Sequence, residues 1–282
     1  MRKVIYGLIP CLLVTLLCCA SCKRTAANET PNNIAYDTLS VVEIYHLDND
    51  SVKPSCSLQV TYIYPDKYED EKILSQIQNE LNVYLFEDES YLSLPAREAL
   101  EKYKKAYVEN YKQDVVMRFP DWEKSGETMD YFSYYKKINT HVLFDKGGIL
   151  SYQIVSRDYK GGANSSTYYQ NLVFDTKTGK RLNEEDIFVP EYKDTLGEFF
   201  VAEILKQNKA ESTQQLMEDL GFFGIEDIPF NNNFIVNETG IDYTFNEGEI
   251  APQSVGAITI HMPYEEIISL LKDNSPISHF YN

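Results

Sequence analysis

The chain has little with which to run metal or nucleophile chemistry. It has four histidines, His46, His141, His261 and His279, and no two stand at metal-ligand spacing. There is no HExxH pattern, which excludes the common zinc-hydrolase arrangement. Five cysteines fall at positions 11, 18, 19, 22 and 56, so Cys56 alone lies in the body of the chain. One such thiol excludes an intrachain disulfide framework and a cysteine-rich zinc site. No GxSxG elbow occurs, and the pairs Gly147-Gly148 and Gly161-Gly162 lack the lysine and helix context of a phosphate loop. Positive charge is scarce too, with 26 Lys and Arg against 43 Asp and Glu and a net charge of −17. Such a surface repels nucleic acid and favours cationic partners. Neither a metal nor a cofactor is expected. Carboxylates are plentiful, but a glycosidase needs two at a set separation across a cleft, and spacing in the chain selects no pair. Glu184 with Asp186, and Glu265 with Glu266, read as acids at helix N-termini.

What is present begins with MRKVIYGLIPCLLVTLLCCASC. Arg2 and Lys3 precede an apolar run from Val4 to Ala20, and Ala20 and Ser21 lead into Cys22. This is the order of a secretory signal peptide over residues 1–21. The small pair before the cysteine resembles a bacterial lipobox, which makes Cys22 the lipidated first residue. The alternative, one transmembrane anchor, would need about 20 apolar residues, more than this run holds. The expected address is therefore the bacterial cell envelope, on the outer or the cytoplasmic membrane. Loss of Arg2 and Lys3 takes the net charge of −17 to about −19. Residues 22–40 read as a polar, flexible tether.

Beyond the tether two halves are expected, 41–180 and 181–282, of class α+β: an antiparallel sheet with helices packed mainly on one face. Leu58, Val60, Tyr62 and Tyr64 alternate as in a strand that Pro65 ends. Ile73, Ile77, Leu81 and Leu85 recur every four residues and predict a helix. A second helix runs from about Pro95 to Met117, with Ala99, Tyr103, Tyr107 and Tyr111 on one stripe. Strands follow over Tyr131–Phe144, Ile149–Arg157 and Tyr168–Phe174, the first two joined by a turn at Gly147-Gly148. Asn183 caps a short helical turn, and a helix covers about Asp194 to Lys209. Phe234–Val236, Ile241–Phe245 and Val255–Met262 read as strands, and Pro263 opens a last helix.

Tyrosine is the conspicuous excess, at 22 residues. Its apolar body and polar tip suit recognition as well as packing. Tyr131, Tyr134, Tyr135, Tyr168 and Tyr169 lie on adjacent strands, and the period of two turns some of them away from the core.

Residues 159–188 read YKGGANSSTYYQNLVFDTKTGKRLNEEDIF, and 247–267 read EGEIAPQSVGAITIHMPYEEI. Both blocks resemble the extracytoplasmic domains of RsiV-type anti-sigma factors and PdaC-type peptidoglycan deacetylases. The resemblance implies a two-part α+β fold and extracytoplasmic binding; the RsiV-type domain is a receptor for lysozyme. Asn164 stands where that pattern has histidine. The anti-sigma type's cytoplasmic segment and membrane helix, and the deacetylase type's catalytic domain, have no counterpart in this sequence. The expectation is a non-enzymatic envelope lipoprotein, anchored at Cys22, that binds a macromolecule such as a lysozyme-like hydrolase or peptidoglycan. The loop Tyr159, Gly161, Gly162 and Asn164 is its expected binding element. An envelope glycan hydrolase with unrecognised carboxylates, or a structural subunit of an envelope complex, are the alternatives.

Overall fold

The computed structural model describes residues 30–124, 126–161 and 164–282, so the expected signal peptide, Cys22 and Gly162 lie outside the described residues. The first half is built on a six-stranded sheet. Strand β1 (Ala35–His46) pairs antiparallel with β2 (Ser55–Lys67). Two helices follow, α1 (Glu71–Phe86) and α2 (Ala96–Arg118). A short helix α3 (Met129–Phe132) leads into β3 (Tyr134–Lys146), β4 (Ile149–Lys160) and β5 (Ser166–Asp175), and β6 (Arg181–Leu182) closes the row. All neighbours are antiparallel except β2 and β3, which run parallel. A parallel pair needs a long crossover, and α1 with α2 provide it.

Local chemistry explains the helices. The Asp70 side chain accepts from the N–H groups of Lys72 and Ile73 at 2.9 and 3.1 Å and caps α1. The predicted stripe of α1 buries Ile77, Leu81 and Leu85 against Leu58, Val60 and Tyr62 of β2 and Tyr152 of β4. Each such side chain contributes about 1.5–3 kcal/mol on burial. The tyrosine stripe of α2 is core as well, with Tyr111 buried and Tyr103 and Tyr107 partly so.

The second half follows β6. It holds α4 (Glu184–Ile187), α5 (Tyr192–Asn208), α6 (Thr213–Leu220), a three-stranded antiparallel sheet β7 (Phe234–Val236), β8 (Gly240–Phe245) and β9 (Ile258–Pro263), and α7 (Tyr264–Ile267). Its core gathers Phe200 of α5, Phe234, Tyr243 and Phe245, together with Ile149 and Val173 from the large sheet. Leu150, Tyr152, Leu172 and Phe174 belong instead to the α1/α2 core. Alternation along β4 and β5 therefore puts the second half on the sheet face opposite α1 and α2.

The class is α+β as expected, with the sheet divided in two. The tether expected to reach residue 40 ends earlier. Asn32 donates to Asp145 and to the Ile149 carbonyl at 2.7 and 2.8 Å and accepts from the Gly148 N–H at 2.6 Å, and β1 begins at Ala35. Pro65 does not end its strand. It sits beside an irregularity in the β1 register, and β2 continues to Lys67. Residues 131–132 coil into α3 rather than starting β3, and the closing helix is one turn of α-helix followed by a 3-10 turn.

Candidate functional site

The second half covers only one end of the sheet face it packs on. It does so through Phe144, Ile149, Ser151 and Val173. The other end is open. There Tyr135 lies opposite Tyr159, Lys137 opposite Arg157, and Asn139 opposite Val155, which in turn faces Tyr169. Lys137 and Arg157 are exposed and the three tyrosines are half-buried. The Tyr135 and Tyr159 rings stack, with centroids 5.8 Å apart and planes 19° apart.

The two cations are the unusual part of this surface. Like charges directly opposite across two strands repel. At a separation of ~6 Å in water the cost is about 0.7 kcal/mol before salt screening. Among the described residues neither is in an ion pair; Arg157 donates only to the Ser165 hydroxyl, at 3.4 Å. In a chain with net charge −17, this is a local reversal of sign beside a stacked aromatic pair. An anionic group held between the cations would remove the repulsion, and an apolar ring face would pack on the tyrosines.

The loop after β4 borders this face. Gly161 has φ +82°, and a Cβ there would come within 3.0 Å of the Tyr131 carbonyl and 3.4 Å of the Phe119 ring. Both the turn and the close approach require glycine. Asn164 is exposed where the loop returns. The loop's descending arm is held from the second half: Gln253 donates to the Ser165 carbonyl at 3.1 Å and to the Ser166 hydroxyl at 3.0 Å, and Glu247 accepts from the Thr167 N–H at 3.2 Å.

Beyond that arm, side chains close the outer edge of β5. The Asn246 carboxamide accepts from the Tyr169 N–H at 2.7 Å and donates to its carbonyl at 3.0 Å. Asn233 accepts from the Asn171 N–H at 2.8 Å and donates to the Tyr169 carbonyl at 3.0 Å. These carboxamides stand in for a neighbouring strand and leave the edge no free backbone row. Asn231 and Asn232 extend the network. Asn232 joins it to Glu184, which is 1% exposed. Glu184 accepts from the hydroxyls of Tyr192 and Tyr243, both at 2.6 Å, and from the Asn232 N–H at 2.7 Å. Burial and this carboxylate push both phenol pKa values up. Glu184 is thus a buried keystone as well as a first-turn acid.

The other face carries a tyrosine-lined cleft of about 290 Å³ between α2 and β3. Lys136 lies at its floor, 3.0 Å from Glu87. Burial opposes its charge, but the Tyr103 phenol and Glu87 outweigh it and hold the pKa above the ordinary lysine value. Cys56 is buried, and burial pushes its thiol pKa up to about 12, which leaves it a small apolar side chain.

Of the expected loop residues, Tyr159 faces the open surface, Gly161 shapes the turn, Asn164 is exposed beside it, and Gly162 lies outside the described residues. Tyr135 is among the strand tyrosines that the period of two could turn outward, whereas Lys137 and Arg157 were not anticipated by sequence. Their signal is the spacing of two within Tyr135/Lys137 and within Arg157/Tyr159.

Residues 185–265 match the family model of DUF3298, a protein family of unknown function. That segment is similar to a DUF3298 domain. It runs from the first turn of α4 to α7, so it spans most of the second half. A DUF3298 family member from Bacteroides fragilis superposes with a TM-score of 0.80 at 26% identity, over 89% of this chain and 99% of that one. A DUF3298 family protein from Pseudomonas aeruginosa PAO1 gives 0.58 at 16% identity, over 86% and 95%, a likeness of fold alone. The DUF3298 similarity in structure therefore extends over both halves. No curated protein matches the chain. Among the described residues no helix is long and apolar enough to cross a membrane, and no group of three His, Cys, Asp or Glu is placed to hold a metal ion.

Proposed function

We propose that this protein is a non-catalytic binding protein of the cell envelope, held there by lipid on Cys22, and that it takes peptidoglycan on the open face of its large sheet. The observation that carries this reading is the cation pair Lys137 and Arg157 beside the stacked Tyr135 and Tyr159. Peptidoglycan offers both complements: sugar rings whose C–H faces pack on tyrosine, and lactyl and peptide carboxylates that pair with lysine and arginine. Tyr159, Gly161 and Asn164 form the rim, where the glycine at 161 lets backbone amides approach the polymer. Sedimentation of the purified protein with isolated sacculi tests the reading. Wild type co-sediments at low and moderate salt, and the double variant Lys137→Gln/Arg157→Gln stays in solution. Equal sedimentation of the two sinks the assignment.

A second reading rests on the net charge of −17 and on the resemblance to RsiV-type receptors: capture of a cationic hydrolase such as lysozyme. Lysozyme retention on the immobilised protein that survives the double variant, with no retention of sacculi, would favour it over the first.

A further inference from the structure

A groove of about 750 Å³ runs along α5, on the far side of the second half's core. Its floor is apolar: Val201 and Leu205 from the helix, and Ile225, Ile228 and Phe230 from the segment that follows α6. Both rims are acidic. Asp194 and Glu198 stand on α5, and Glu226 and Asp227 on the opposite wall. All four are exposed, and among the described residues none is in an ion pair. The one lining cation, Lys193, sits over the Phe230 and Tyr192 rings, 5.6 and 6.0 Å from their centroids. Asp194 and Glu198 are four residues apart on one helix face, a like-charge spacing that weakens a helix by a few tenths of a kcal/mol, about 0.2–0.5.

Gly197 lies between them, in the middle of the helix. It costs α5 about 1 kcal/mol against alanine. It does not have a crowding reason to be glycine: an added Cβ would meet nothing within 4 Å. Its effect is to keep the groove open where a wall side chain would otherwise project.

We propose that this groove docks a basic amphipathic helix of a protein partner. Charge selects the class. Four unpaired carboxylates around an apolar floor repel an anionic lipid surface, a nucleic acid and a second copy of this −17 chain, and attract Lys and Arg. The lining stretch of α5, Lys193 to Leu205, is about 18 Å long. That length matches some three turns of a partner helix, with apolar residues at i, i+3 or i+4, and i+7 on the floor and cations along both flanks. This inference does not depend on peptidoglycan binding at the sheet face.

The test uses the full chain in detergent and a fluorescent 14-residue peptide of leucines at helical spacing with lysines on the flanks. A peptide with glutamate in place of lysine is the control. Wild type should bind the lysine peptide and not the glutamate peptide. Gly197→Trp, which fills the groove from a position with free space around it, should weaken binding at least tenfold. Neutralising the rims with Asp194→Asn, Glu198→Gln, Glu226→Gln and Asp227→Asn should do the same and leave little salt dependence. Sacculus binding should be unchanged in both variants, which separates failure here from failure of the peptidoglycan reading. Wild-type affinity in the neutralised variant overturns the proposal, as does wild-type affinity in a folded Gly197→Trp protein. Should Gly197→Trp fail to fold, the neutralised variant decides alone.

Discussion

Raising the pH above 10 should unfold this protein cooperatively. Tyr62, Tyr152, Tyr243 and Tyr264 are buried phenols, and burial pushes each pKa up from the ordinary value near 10. In the folded chain they keep their protons, and in the unfolded chain they ionise near pH 10. The unfolded state thus binds fewer protons above pH 10, and stability falls as pH rises. It is at its full value below that point. Each phenol that stays protonated costs about 0.4 kcal/mol at pH 10 and about 1.4 kcal/mol at pH 11. Four together cost about 6 kcal/mol at pH 11, against a total stability of about 5–15 kcal/mol for an ordinary domain. Tyr107, Tyr111 and Tyr192 are shifted the same way and add to the loss. The expected result is loss of far-ultraviolet circular dichroism between about pH 10 and 11.5, with tyrosinate absorbance at 295 nm rising in the same step. Full ionisation of all 22 tyrosines with the circular dichroism intact would refute the reasoning.

Two further outcomes can be checked by chemical denaturation. Glu184→Ala leaves two phenols and one backbone N–H without their acceptor and should cost about 3–5 kcal/mol, whereas Glu184→Gln keeps an acceptor oxygen and should cost less than half of that; equal losses would show that the carboxylate is not what those donors need. A double-mutant cycle of Lys137→Gln and Arg157→Gln should give an unfavourable wild-type coupling of about 0.5 kcal/mol at low salt that vanishes near 1 M. A favourable coupling at low salt would mean that the two cations share a protein partner in the folded state.

Helical periodicity exposed α1 and α2, because each buries one stripe against one sheet. Alternation exposed β3, β4 and β5. Strand β1 was hidden because it is an edge strand with water on much of its surface. Asp37, Thr38 and Ser40 are exposed, and so are Val42 and Ile44, so its text looks like a linker. The pairing at the open face was hidden for a different reason. Counting back from the Gly147-Gly148 turn would set Tyr135 opposite Lys160. An irregularity between Val142 and Phe144 shifts the register by one, and only then does Tyr135 meet Tyr159 and Lys137 meet Arg157. A one-residue shift changes every partner, and no residue type announces it. The asparagines at 231–233 resemble turn residues, and their role on the β5 edge depends on contacts 60 and more residues away.

Glu184 stands one position before the segment that matches DUF3298, yet the phenols of Tyr192 and Tyr243 and the backbone of Asn232 within that segment all close on it. Asn233 and Asn246 likewise spend their carboxamides on a strand that precedes it. The stretch that similarity marks out as a module is therefore smaller than the piece of chain that can stand by itself. Cut at that boundary, it would lose the acceptor at its centre and the strand that its asparagines complete. Any transplant of this module into another protein has to carry β4, β5 and the eight residues after them that lead up to Glu184's own turn, or it carries a surface without its foundation.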